Sequence, residues 1–127
     1  MRLWIDDVRP APEGYKWAQS VMMAQAIIEV SEDEACECYA KAVRELEHCN
    51  EVGFFEWVDK GSKLLCEIID TDHDAGDFAC DGGDYIRLLD WLEETGRNYP
   101  IRIHSMNPVG VANMRAIIER NGWMEVR

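Results

Sequence analysis

Short apolar runs alternate along the chain with longer segments in which apolar residues recur every three or four positions. The short runs predict buried strands, because a strand inside a parallel sheet is covered on both faces. They lie at residues 2–6, 15–19, 64–70, 100–105 and 123–126. The segments with helical spacing predict amphipathic helices between these strands. Strands that alternate with helices indicate right-handed crossovers and a mainly parallel sheet covered on both faces.

Polar residues mark where the first helices are expected to begin. Ser20 is suited to cap one helix, and Ser31 with Glu34 forms a capping-box pattern that predicts the start of another. The segment 50–63 contains a cluster of aromatic residues that suits a helical turn and a packed loop equally well. Its structure therefore stays open at this point.

Two further helices are expected in the second half of the chain. Asp84 is the predicted cap of one of them, and Gly96 is suited to end it. Asn107 followed by Pro108 predicts the start of the other, because proline is favoured at the first helical position. This last helix is expected to run to the Asn-Gly pair at residues 121 and 122.

Composition limits the classes of protein that the chain can represent. A length of 127 residues with 47% hydrophobic content predicts a single domain over residues 1–127. The formal net charge of −12 repels nucleic acid and anionic lipid, so neither duplex DNA nor a membrane is an expected partner. No apolar run approaches the roughly 18 residues of a membrane helix, and no signal-peptide pattern follows Met1, which favours a cytoplasmic location. Five cysteines without a C-x-x-C pair indicate free thiols.

Polar side chains, most of them carboxylates and imidazoles, follow three of the predicted strands. Because the carboxyl ends of parallel strands meet at one edge of a sheet, these groups are expected around one cleft. They are Asp6 and Asp7 after the first strand, Asp72, His73 and Asp74 after the third, and His104, Ser105 and Asn107 after the fourth. Crowded carboxylates are tolerable when a divalent cation lies among them, and oxygen ligands suit Mg²⁺, Mn²⁺ or Ca²⁺.

The basic and neutral polar residues near this cleft suit a phosphate. Arg9 has a guanidinium that matches two phosphate oxygens, although it can equally pair with Asp6 or Asp7. His73 and His104 can act as acid and base on a phosphodiester, or each can be a structural hydrogen-bonding group. Ser105 and Asn107 can donate to a phosphate oxygen, although capping of the last helix explains Asn107 adequately.

Three stretches carry a resemblance to a known family. "MRLWIDDVRPAPEGY", "DTDHDAGD" and "IRIHSMNPVGVANM" resemble the cyclic-phosphate-processing receiver-domain family, a branch of the response-regulator receiver superfamily. The resemblance covers residues 1 to about 30 and about 64 to 127. It implies a receiver-like (flavodoxin-like) three-layer α/β fold with a mainly parallel five-stranded sheet in the order 2-1-3-4-5. It also implies that Asp6 and Asp7 are the metal-binding acidic pair and that Asp72 replaces the phosphoacceptor.

The chain departs from an ordinary receiver in three ways. The lysine that follows the last strand of a receiver is absent from "WMEVR", which argues against phosphorelay signalling by Asp72. The last helix of a receiver is expected to be truncated. Residues 31–63 lie outside the resemblance and are expected to form a helical insertion, which can serve as a lid or as a surface for a protein partner.

Two hypotheses follow. The first is a metal-assisted phosphoesterase that acts on a cyclic nucleotide or on the cyclic-phosphate end of an RNA. It assigns catalysis to His73, His104 and Asp72, phosphate binding to Arg9, Ser105 and Asn107, and metal binding to Asp6, Asp7, Asp72 and Asp74. The second is a non-catalytic receiver-like module with an acidic metal site that binds a partner protein or a phosphorylated ligand.

Overall fold

A computed structural model describes residues 1–127. Its strands are β1 (Arg2–Ile5), β2 (Tyr15–Ala18), β3 (Ile68–Thr71) and β4 (Ile101–Ile103). Its α-helices are α1 (Val21–Glu47), α2 (Glu51–Leu64), α3 (Ile86–Glu94) and α4 (Pro108–Asn121), and a short 3₁₀ helix spans Gly76–Cys80. No helix combines the length and the apolarity that a bilayer crossing requires.

The four strands form one parallel sheet in the order β2-β1-β3-β4. The alternating positions Leu3 and Ile5 of β1 are fully buried, as are Ile69 of β3 and Ile101 of β4. These side chains form the core of the sheet, which explains why apolar runs predicted the strands. The parallel α/β fold and its receiver-like strand order are therefore confirmed for four strands.

The prediction of a fifth strand at residues 123–126 is wrong. This segment makes only an isolated parallel bridge between Ile101 and Glu125. The amide of Ile101 donates to the carbonyl of Met124, and the amide of Val126 donates to the carbonyl of Ile101. Since β4 is only three residues long and the pairing does not extend to Ile103, no ladder develops.

The predicted break between two helices at Ser31 is also wrong, because α1 is continuous. Ser20 caps it as expected, since its Oγ accepts from the amide of Met23 at 3.0 Å. The hydroxyl of Ser31 instead donates to the carbonyl of Ile28 at 2.7 Å. No glycine or proline interrupts this region, and the buried stripe continues through it at residues 24, 28, 31, 35, 38 and 42.

Residues 50–63, whose structure the sequence leaves open, belong to α2. Asn50 caps this helix, and its side chain accepts from the amide of Gly53 at 3.1 Å. The chain separates into two compact units, one of residues 1–26 and 67–127 and one of residues 27–66. The expected insertion at 31–63 falls inside the second unit. A single domain over residues 1–127 stays a prediction.

A side chain caps the N-terminus of α4 but not that of α3. Asp84 does not cap α3 as predicted, because its Oδ1 accepts from the amide of Ala75 at 3.0 Å. Asn107 does cap α4, and its Oδ1 accepts from the amide of Gly110 at 3.0 Å. Gly122 ends α4 with a φ of 66°, a left-handed conformation that glycine adopts without strain.

Candidate functional site

The acidic residues after β1 and β3 form one cluster. These two strands are neighbours in the sheet, and the amide of Asp72 donates to the carbonyl of Ile5 at 2.9 Å. Asp6, Asp7 and Asp72 each offer a ligand oxygen, and these atoms lie within 4.8 Å of one another. Three carboxylates at this spacing suit a hard divalent cation. The predicted convergence of these three residues is therefore confirmed.

Asp6 is the most enclosed member of this acidic triad. Its Oδ1 accepts from the amides of Val8 and Arg9 at 2.9 and 2.7 Å. Its Oδ2 lies 2.9 Å from Nε of Arg9 and 3.0 Å from Nε2 of His104. Burial alone would raise the pKa of Asp6, but the backbone donors of Arg9 and Val8, the His104 ring and the Arg9 charge hold this pKa below its ordinary value.

Asp72 is held by its own neighbour in the chain. Its Oδ1 accepts from the amide of His73 at 2.7 Å, and its Oδ2 lies 3.4 Å from Nη2 of Arg9. The second oxygen is therefore tied only by a long contact to a side chain. Asp72 and Asp7 are both partly exposed, so this side of the triad is open to water and to a ligand.

Asp7 depends on a glycine for its place. Gly76 has a φ of 53°, and a Cβ built on it would lie 2.2 Å from Oδ2 of Asp7. A side chain at position 76 would therefore occupy the space of the carboxylate. The backbone carbonyl of Asp7 accepts from Nε2 of Gln19 at 3.3 Å. Gly76 therefore leaves room for the Asp7 carboxylate in the triad, while Gln19 holds the Asp7 backbone.

His104 lies between two carboxylates. Its Nδ1 is 2.6 Å from Oδ1 of Asp70, and its Nε2 is 3.0 Å from Oδ2 of Asp6. The ring also stacks on Trp4, with centroids 3.9 Å apart and planes within 6°. Because both ring nitrogens are already bonded, His104 orients Asp6 and has no free nitrogen for a substrate. This geometry favours the structural alternative for His104.

Asp70 and Trp4 were not among the residues singled out in the sequence. Asp70 is buried within β3, where a carboxylate requires a partner. The one sequence signal that could have indicated it is its spacing of two from Asp72, since Asp70, Asp72 and Asp74 alternate along the chain. Nothing in the sequence indicated that Trp4 would lie under the His104 ring.

His73 differs from His104 because one of its ring nitrogens is free. Its Nδ1 lies 2.9 Å from Oδ1 of Asp74 and 3.5 Å from Nδ2 of Asn107. Its Nε2 has no hydrogen-bond partner in the protein. The ring packs against the first turn of α4, where a Cβ on Gly110 would lie 2.4 Å from it. His73 is therefore held in place and keeps one nitrogen for other chemistry.

Asp74 and Ser105 serve the loops beside the triad. The side chain of Asp74 is 59% exposed and lies outside the triad, in contact with His73 and Asn107. A role for Asp74 as a metal ligand stays a prediction. Oγ of Ser105 accepts from the amide of Asn107 at 3.1 Å, which shapes the entry to α4. Phosphate binding by Ser105 and Asn107 likewise stays a prediction.

Arg9 crosses the triad. Its guanidinium contacts Asp6 at 2.9 Å and Asp72 at 3.4 Å, and its Nη2 donates to the carbonyl of His104 at 3.2 Å. The indole of Trp4 donates to the carbonyl of Arg9 at 2.9 Å, which ties the loop to β1. The sequence left open whether Arg9 binds phosphate or pairs with an acidic neighbour, and the structure shows the pairing, with Asp6 and Asp72.

The triad produces a negative field that reaches the neighbouring core. Burial raises the pKa of the Tyr85 hydroxyl, and the charges of Asp7, Asp6, Asp72 and Asp84 raise it further. The hydroxyl donates to the carbonyl of Gln19 at 2.7 Å. One arginine does not neutralise three carboxylates, so the site retains an attraction for cations.

Comparison with known families gives one match. A family model described as "Cyclic-phosphate processing Receiver domain" matches residues 1–120. This range includes the whole acidic triad, Arg9 and both histidines discussed above. Comparisons with curated proteins and with solved structures give no significant match.

Proposed function

We propose that this chain, which belongs to the family of cyclic-phosphate processing receiver domains, binds a divalent cation at Asp6, Asp7 and Asp72 and with it the phosphate of a cyclic-phosphate ligand. The observation that carries the proposal is the convergence of three carboxylates within 4.8 Å at the ends of two adjacent strands. Mg²⁺ is the first choice, and Mn²⁺ or Ca²⁺ also suit oxygen ligands.

The charge of the protein supports a metal-dependent mode of binding. An anionic ligand that approaches a chain of net charge −12 meets repulsion unless positive charge is gathered at the site. A divalent cation in the triad supplies this charge, and Arg9, Ser105, Asn107 and the N-terminal amides of α4 lie at the same edge of the sheet. The proposed ligands are cyclic nucleotides and the cyclic-phosphate ends of RNA.

A hydrolytic reaction would depend on His73. Since Asp74 accepts a hydrogen bond from Nδ1–H, the neutral ring carries its lone pair on the free Nε2. This nitrogen can take the proton of an attacking water whose oxygen bonds to phosphorus. One ester P–O bond then breaks, and the leaving oxygen takes a proton from solvent to give a phosphomonoester. A bound cation would neutralise charge on the phosphate oxygens.

His104 has a different part in this proposal. It positions Asp6 through Nε2 and is itself held by Asp70 and Trp4. Only one of the two predicted acid–base groups therefore has a free nitrogen. This observation favours a second candidate function, a receiver-like module that binds the metal and the cyclic phosphate without turnover. A protein partner that binds through the insertion at about residues 31–63 stays a prediction.

Phosphorus NMR separates the two candidates. The purified protein is incubated with 2′,3′-cyclic nucleotides or with cyclic-phosphate-ended RNA in the presence of Mg²⁺, Mn²⁺ or Ca²⁺. If the chain is an enzyme, a phosphomonoester signal is expected to grow with time, and its rate of formation is expected to be about 100-fold or more lower in His73→Ala. His48→Ala is the matched control, because His48 is exposed at the end of α1 and lies outside the triad.

The other outcomes are equally informative. Binding of the cyclic phosphate without any product would favour the non-catalytic module. Activity that survives His73→Ala would remove His73 from the mechanism. Calorimetry that detects no binding of any of the three cations would contradict the proposed function as a whole.

A further inference from the structure

The carboxylate of Asp6 has no free acceptor position. A carboxylate offers about four lone-pair positions. The amides of Val8 and Arg9 share Oδ1, while Nε of Arg9 and Nε2 of His104 share Oδ2. A cation can therefore bind Asp6 only after one of these four donors has left.

The four donors differ in how readily they can leave. The two amides belong to the loop that Trp4 and Trp17 tie down through their indole N–H groups. His104 is only 13% exposed and is held by Asp70 and by the stack on Trp4. The side chain of Arg9 is 51% exposed, and water can replace its contacts. The guanidinium of Arg9 is therefore the donor that leaves at the lowest cost.

The contact of Arg9 with Asp72 also indicates that Arg9 is the donor that a cation displaces. Its Nη2 lies 3.4 Å from Oδ2 of Asp72, another member of the triad, and that oxygen makes no other polar contact within the protein. A guanidinium that bridges Asp6 and Asp72 uses oxygens that a cation in the triad also needs. Arg9 and a divalent cation thus compete for the same two carboxylates.

We propose that Arg9 is the displaceable counter-ion of the metal-free site, which a divalent cation releases so that its guanidinium becomes free to bind the phosphate of the ligand. The inference rests on the metal site of the proposed function. A divalent cation carries twice the charge of the guanidinium that it replaces, so the triad is better neutralised after the exchange. Metal and anion then bind cooperatively, because Arg9 is free to meet the anion only when the metal is bound.

Calorimetric titration with Mn²⁺ tests the competition. Arg9→Gln removes the competing charge and is expected to bind Mn²⁺ about tenfold more tightly than the parent. Arg102→Gln is the matched control, because Arg102 is also 51% exposed and lies 4.0 Å from Asp70 rather than beside the triad. It removes the same formal charge and is expected to change the Mn²⁺ affinity by less than about threefold.

A second measurement follows the side chain itself. The Nε–Hε proton resonance of Arg9 is identified as the one that is missing from the spectrum of Arg9→Gln. In the parent protein, addition of the diamagnetic ion Mg²⁺ is expected to move this resonance toward the position of solvent-exposed arginines. The Arg102 resonance is expected to stay in place.

A third measurement follows the binding of the anionic ligand. With saturating Mg²⁺, Arg9→Gln is expected to bind a 2′,3′-cyclic nucleotide about tenfold more weakly than the parent, and without Mg²⁺ the two proteins are expected to bind it alike. Mn²⁺ affinity in Arg9→Gln that is no higher than in Arg102→Gln would overturn the exchange while leaving the metal site intact. Absence of cation binding in all three proteins would overturn both the exchange and the proposed function.

Discussion

Gly76→Ala is expected to weaken metal binding although residue 76 offers no ligand atom. The glycine has a φ of 53°, and a Cβ there would lie 2.2 Å from Oδ2 of Asp7. No pair of unbonded atoms tolerates this separation, so the carboxylate of Asp7 must rotate away. The acidic triad then loses one of its three ligand groups.

The size of the effect has two separable parts. A left-handed alanine costs about 1–2 kcal/mol, which lowers Tm of a domain of this length by roughly 4 to 8 °C. Loss of support for a metal ligand costs about 10- to 100-fold in metal affinity. With Mg²⁺ at about 100 times the parent's Kd, the stabilisation by the metal falls from about 2.7 to about 0.4–1.4 kcal/mol. The rise in Tm on adding Mg²⁺ then falls from about 10 °C to about 2–6 °C.

Gly96→Ala is the matched control. Gly96 has a φ of 69°, and a Cβ there would meet nothing within 4 Å. This variant is expected to lose the same stability without metal but to keep the full response to Mg²⁺. Thermal unfolding of the three proteins with and without Mg²⁺ measures both parts. A response of the parent's size in Gly76→Ala would show that Asp7 is not a ligand, or that the turn relaxes without moving it.

Three further predictions concern the triad, its support and the contact between α3 and α4. Asp72→Asn preserves the shape of the side chain and is expected to remove most of the rise in Tm that Mg²⁺ produces; an unchanged rise would place the metal elsewhere. His104→Ala removes the 2.6 Å contact to the buried carboxylate of Asp70 and leaves it only Arg102, 4.0 Å away. The free energy of unfolding in urea is expected to fall by about 3–5 kcal/mol, and a loss below about 1 kcal/mol would contradict the bridging role. Hydrogen bonds from Arg120 and Asn121 lower the pKa of Glu93 to about 2, so its stabilising contribution is complete above the ordinary value of 4.5 and is lost as the pH falls toward about 2. The difference in Tm between the parent and Glu93→Gln is therefore expected at pH 7 and absent near pH 2, and a difference that does not vary with pH would refute this.

Local sequence determined most of the elements and the location of the acidic triad. Apolar runs specify strands when both faces are buried, and Asn107 with Pro108 specifies a helix start through groups only three residues apart. The convergence of Asp6, Asp7 and Asp72 followed because parallel strands end at one edge of the sheet. Each of these inferences needs only neighbouring residues and one rule of sheet geometry.

Local signals failed where a competing element decided the outcome. Ser31 with Glu34 has the pattern of a helix start, but the buried stripe of α1 continues through it and its hydroxyl bonds within the helix. The segment 123–126 has strand-forming residues, but its neighbour β4 offers only one residue pair for bonding. A strand is a property of two partners, and the sequence of one of them does not reveal the length of the other.

The roles of the site residues were decided by tertiary structure alone. His73 and His104 are equivalent in the sequence, each at the end of a predicted strand. Only the packing of β1, β3 and β4 places His104 between Asp6 and Asp70, while His73 keeps a free nitrogen. The chemistry of an imidazole depends on which groups its two nitrogens meet, and those groups lie 34 and 98 residues away from His104 along the chain.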